Sequence, residues 1–165
     1  MVPVGRRNDP AVDAASRIAL IERYEAGFAE VVAALEGIDD AGLDARPGPD
    51  EWTAREVVHH LADSEMTSAL RLRKLLAEDA PRIEPYDEAA YARRLPYDRP
   101  IEGSLEALRG ARASTASILE RLPESAWSRA GHHPEHDRYT VEDWLGIYAA
   151  HAFDHAEQIR RARLG

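Results

Sequence analysis

The sequence predicts an all-α protein built as a four-helix bundle. Three observations carry that prediction. Four long stretches repeat apolar side chains every three or four residues, the period of a helix with one buried face. Two of these stretches open on the same signal, a threonine followed three residues later by an acid. No long run alternates apolar and polar residues as a half-buried strand does.

Residues 1–9 read as a flexible N-terminal arm without the apolar core of a signal peptide. Residues 10–165 form the single domain. Asp9 is placed to cap a first helix with Pro10 at its first position. Ile21, Tyr24, Phe28, Val31, Val32 and Leu35 carry it to about residue 36, and Gly37 ends it. Pro47, Gly48 and Pro49 mark a loop. A second helix opens at Thr53, with Glu56 completing a capping box and Trp52 and Val57 as a hydrophobic staple. It runs to about Ala77 and buries Val57, His60, Leu61 and Leu75, with Leu70 near the edge of that face.

Pro81, Pro85, Pro96 and Pro100 forbid one long helix over residues 79–102. A short helix fits at Asp87 to Arg94, inside a crossover long enough to cover a site. The third long helix starts near Ser104 and shows Leu105, Leu108, Thr115, Ile118, Leu119 and Leu122 before Pro123. Residues 128–138 read as a polar loop holding His132, His133 and His136. The fourth helix opens at Thr140, with Asp143 three on, and runs to about Ala162.

Composition narrows the function. The chain of 165 residues, 44% hydrophobic and 31% charged, suits a soluble globular domain with its own core. No apolar run approaches a membrane span, so a cytoplasmic protein without a membrane partner is expected. A net charge of −9 without a basic stripe speaks against nucleic acid as a partner. The sequence contains no cysteine, so a metal would have to be held by His, Asp or Glu.

Histidine supplies the candidate chemistry. Seven histidines in 165 residues give about 0.3 chance pairs four apart, so spacing alone is weak evidence. The pair His132 and His136 flanks Pro134 in a loop and reads as structural or surface. His151 and His155 lie on one face of the fourth helix, in a strip with Trp144, Tyr148 and Ile159. Two such rings need hydrogen-bond partners or a metal, and satisfied core histidines are the alternative. His59 and His60 stand about 100° apart on the second helix. The stripe Thr53, Val57, His60, Ser64, Thr67 and Arg71 turns His60 inward and His59 sideways. Asp63, Ser64 and Glu65 are placed to orient an imidazole or assist proton transfer, against a solvated or helix-pairing role. Arg71 is a candidate binder of an anionic group, against a surface ion pair.

The pattern W-T-x-x-E-V-V-x-H-L-A-D-S-E at Trp52 to Glu65, with Y-A-x-H-x-x-x-H at Tyr148 to His155, resembles the DinB/YfiT-like superfamily. The likeness extends through Glu78-Asp79-Ala80-Pro81, Pro85-Tyr86-Asp87-Glu88 and His133-Pro134-Glu135. It implies helices ordered up-down-down-up, with the long crossover between the second and third. It implies a divalent metal on His60, His151 and His155; zinc or nickel is the expected ion, although a three-histidine site suits copper and iron comparably. It also implies homodimers in many members, and two enzymatic roles. One is metal-dependent hydrolysis. The other is S-transfer from a low-molecular-weight thiol such as bacillithiol to a small-molecule substrate. A non-catalytic bundle with a stress-linked binding or regulatory role is the alternative; DNA binding is opposed by the charge of −9.

Overall fold

In the computed structural model, residues 13–134 and 136–163 are described. Helix α1 spans Ala14–Leu35, α2 Asp40–Asp44, α3 Ala54–Ala77, α4 Glu88–Arg94, α5 Glu102–Leu119 and α6 Val141–Ala162. A single 3-10 turn at Glu124–Ala126 precedes strands β1 (Ala130–His133) and β2 (His136–Thr140). The long helices pack in the cyclic order α1, α6, α3, α5, and the architecture is the expected up-down-down-up bundle. No described helix is long and apolar enough to cross a membrane.

The two boxed helix starts form as the sequence predicts. Thr53 accepts from Glu56 N and Glu56 accepts from Thr53 N; Thr140 and Asp143 repeat the exchange. Each box satisfies two backbone N–H groups that the helix cannot pair internally. The start of α1 differs from expectation. Asp13, not Asp9, caps it, its side chain accepting from Ser16 N at 2.9 Å. The N-terminal arm, Asp9 and Pro10 lie outside the described residues.

One element is an addition, and two further expectations are corrected. Residues 39–44 hold a short helix capped by Asp39, which satisfies Gly42 N. The stretch read as a polar loop contains an antiparallel two-stranded sheet with an irregularity between Gly131 and His133. Leu70 is 65% exposed rather than near the buried edge. Its position, ten residues after His60, turns it about 80° off the histidine face.

Two apolar clusters fill the bundle. One holds Tyr24, Leu72, Leu75, Trp144, Leu145 and Tyr148; the other holds Val31, Val57, Leu61, Leu108, Ala152 and Ile159. A polar layer divides them. Arg112 Nη1 donates to Glu65 Oε2 at 2.7 Å, and Tyr24 Oη donates to Glu65 Oε1. The Arg112 guanidinium lies over the Tyr24 ring, 4.0 Å from its centroid. Gly27 makes room for it, because a Cβ there would stand 2.6 Å from Arg112 Nη2.

The crossover is strapped across the bundle. Ile83 N donates to His132 O at 2.8 Å and His132 N to Pro81 O at 2.9 Å, so the hairpin holds one end. Gly131 permits this approach, since a Cβ there would meet Pro81 O at 2.5 Å. Arg71 Nη2 donates to Glu84 O at 2.8 Å, and Tyr97 Oη donates to Asp63 Oδ2 at 2.6 Å. Residues 85–89 are thereby held over the stretch of α6 that carries Tyr148 and His151.

Candidate metal centre

Helices α3 and α6 face each other and bring three imidazoles together. His60 comes from α3; His151 and His155 come from one face of α6, a turn apart. Ring centroids are 4.5 Å apart for His151 and His155, 4.7 Å for His60 and His155, and 5.6 Å for His60 and His151. One nitrogen of each ring lies within 4.8 Å of the others. His155 Nε2 and His151 Nε2 are 3.2 Å apart. Two nitrogens sharing a tetrahedral zinc at the usual bond length stand about 3.3 Å apart. The donor set therefore fits a divalent cation without rearrangement of the α6 pair.

The rings are held in the form a metal needs. Burial first, and neighbouring imidazoles second, push His60 and His151 down to about 3. Burial also lowers His155, opposed by the Gln158 hydrogen bond and by Glu88. All three are neutral at pH 7, with a lone pair available. His155 Nδ1–H donates to Gln158 Oε1 at 2.7 Å, which leaves Nε2 free of a proton and pointed at His151. Trp52 packs edge-on against His60, with ring centroids 4.9 Å apart. His151 Nδ1 is buried and has no hydrogen-bond partner among the described residues.

A cavity of about 540 Å³ opens beside these rings. His151, Tyr148, Tyr86, Arg71, Ser64 and His133 contribute to its wall. Tyr86 Oη lies 3.4 Å from His60 Nδ1, and Arg71 Nη1 donates to Tyr148 Oη at 3.1 Å. Burial raises both tyrosines, so their hydroxyls stay protonated at neutral pH. A larger apolar groove of about 1280 Å³, lined by Phe28, Val32, Leu35 and Leu105, lies on another face and includes none of the histidines.

The other candidates lie elsewhere. His59 is fully buried, Nε2–H donating to Arg99 O at 3.0 Å and Nδ1 accepting from Ser104 Oγ at 2.8 Å. It ties α3 to the crossover and α5. Asp63 holds Tyr97, and Glu65 has both oxygens on Tyr24 and Arg112. Neither carboxylate lines the cavity. Arg71 forms no surface ion pair among the described residues; it turns instead onto Tyr148 and the crossover. His132 is exposed, and the His136 side chain lies outside what is described. Gln158 and Tyr86 are additions that sequence reading missed. Gln158 stands three residues after His155, a spacing that could have revealed it. Tyr86 sits in an aperiodic, proline-bearing segment that offers no such clue.

Comparison with known proteins places these features in context. The profile of the DinB superfamily matches residues 23–159. YfiT of Bacillus subtilis is 35% identical over 134 residues, covering 79% of this chain and 75% of YfiT. A protein of Oceanobacillus iheyensis is 35% identical over 122 residues, covering 74% of this chain and 71% of its own. Both relatives carry the provisional name of metal-dependent hydrolase. The solved structure of Bacillus subtilis YfiT superimposes with a TM-score of 0.85 at 31% identity, covering 95% of this chain and 91% of YfiT. That protein is described as a "probable metal-dependent hydrolase with an unusual four-helix bundle topology".

Proposed function

The chain belongs to the DinB superfamily, and from that premise we propose that it is a divalent-metal-dependent hydrolase acting on a small molecule in the cytoplasm. One observation carries the reading. Three neutral imidazoles from two helices converge, with a 3.2 Å Nε2–Nε2 separation, and one of them, His151, lines a ligand-sized cavity. His60, His151 and His155 are the ligands. Zinc or nickel held there supplies Lewis acidity and a nucleophile at neutral pH.

The remaining roles belong to the protein. Gln158 fixes the tautomer of His155. Tyr86 and Tyr148 offer neutral hydroxyl donors beside the rings, and Arg71 holds Tyr148 in place. Asp63 and Glu65 brace the scaffold, the first on the crossover and the second across the polar layer.

The test is elemental analysis of protein purified without a histidine tag, alongside His60→Ala and His155→Ala. Near-stoichiometric zinc or nickel, lost in both variants, is the expected result. Ester and amide hydrolysis are then screened with and without an added low-molecular-weight thiol. Turnover that requires the thiol replaces hydrolysis with S-transfer. Failure to take up metal after reconstitution overturns the metalloenzyme and leaves the non-catalytic bundle. Sedimentation of the same samples tests the homodimer that the superfamily suggests.

A further inference from the structure

The cavity beside the imidazoles is lined by an arginine with no acid of its own. Arg17, Arg55 and Arg112, the deeply buried arginines, each hold at least one carboxylate. Arg71 holds none among the described residues. Its two hydrogen bonds go to neutral oxygens, Tyr148 Oη and Glu84 O. A guanidinium carries five N–H donors in a rigid fork, so most of its capacity is uncommitted. Its Nε is buried without a partner among the described residues, as is Nδ1 of His151, which lines the same cavity. Buried polar atoms left unmet are costly, and two at one site mark a place completed by a ligand.

The surroundings define what that ligand is. Tyr86 spans the distance between Arg71 and the histidines: its ring centroid is 5.9 Å from the guanidinium carbon and its Oη is 3.4 Å from His60. Tyr148 spans it on the other side, Oη on Arg71 and ring centroid 5.7 Å from that of His151. Two aromatic walls thus connect a fixed positive charge to the imidazoles. Asp87 and Glu88 also line the cavity, but Asp87 Oδ1 caps α4 through Ala90 N and Glu88 is exposed.

We infer that Arg71 anchors a carboxylate of the substrate, and that the cavity takes a small organic acid with a flat apolar body whose other end reaches the three histidines. The inference deepens the proposed function and rests on this cavity being its substrate site. A planar carboxylate matches the guanidinium fork, and the tyrosines match a flat body.

Benzoate is the probe and benzamide its neutral match, each titrated calorimetrically against native protein, Arg71→Gln and Arg71→Lys. Every protein is tested zinc-loaded and after EDTA treatment. Native protein is expected to bind benzoate at least about tenfold tighter than benzamide, and Arg71→Gln to abolish the difference. Arg71→Lys keeps the charge without the fork and recovers only part of it. Added NaCl weakens benzoate binding to native protein and spares benzamide, a readout independent of any variant's folding. Equal affinity for the two probes in native protein, or undiminished benzoate binding by Arg71→Gln, overturns the inference. The two proposals fail separately. Arg71-dependent benzoate binding by protein that takes up no metal keeps the anchor and removes the metalloenzyme. Stoichiometric zinc without Arg71-dependent binding does the reverse.

Discussion

Gln158 gives the sharpest test of how the imidazole cluster is aimed. Its Oε1 accepts from His155 Nδ1–H at 2.7 Å, and this one bond decides that Nε2 faces His151. Gln158→Leu keeps the bulk and removes the acceptor. The His155 ring then gains rotational freedom and loses its fixed tautomer. Removing such an outer partner of a metal-binding histidine costs about 10–100-fold in metal affinity, or about 1.4–2.7 kcal/mol. The fold loses only one partly buried hydrogen bond, worth about 1 kcal/mol. Zinc affinity, measured by competition with a chromophoric chelator, is therefore expected to fall by at least tenfold. The metal-free variant should melt only a few degrees lower than native. Gln158→Glu restores a strong acceptor and should keep affinity near the native value. A leucine variant that binds zinc within twofold of native would refute the claim that Gln158 aims the ring.

Three other perturbations have definite expected outcomes. In metal-free protein the folded state holds His60 and His151 near 3, whereas an unfolded chain titrates them near 6.5. The unfolded state binds more protons between those limits, so stability falls as pH is lowered from about 6.5, by about 2 kcal/mol per histidine at pH 5. Urea midpoints of EDTA-treated native and His151→Phe protein check this, and an identical pH slope in both contradicts it. Glu65→Gln strands the Arg112 charge in the polar layer and should cost about 3–5 kcal/mol, seen calorimetrically as a melting point lower by at least about 6 °C. Gly27→Ala gains about 1 kcal/mol of helix propensity but sets a Cβ 2.6 Å from Arg112 Nη2 and 2.8 Å from Ala152 Cβ. Overpacking of about 1–3 kcal/mol should leave it net destabilised in chemical denaturation.

Much of the bundle was legible because helix starts and faces are written in local chemistry. The boxes at Thr53 and Thr140 set the phase of α3 and α6, and that phase turns His60, His151 and His155 toward a common space. The hairpin was not legible: four or five residues with an irregular register give too short an alternation. Glu65 and Arg112 escaped as core residues because charged side chains in helices usually face water, and only tertiary pairing makes their burial tolerable. The cavity escaped for a related reason. Tyr86 reaches it, and Glu84 O holds Arg71 beside it, through strap contacts between segments far apart in the chain, which no local period encodes.

The two capping boxes also govern how this sequence can change length. His60 is counted seven residues from its cap and His151 eleven, and each cap fixes where counting begins. Inserting one residue inside either interval turns every later ring by about 100° and advances it about 1.5 Å, which scatters the cluster. The connecting segments obey a different rule, because doubling the length of a flexible loop costs only about 0.6 kcal/mol. Insertions between Ala45 and Glu51 should therefore be tolerated, while a single-residue deletion between Thr140 and His151 should dismantle the centre and leave most of the chain helical.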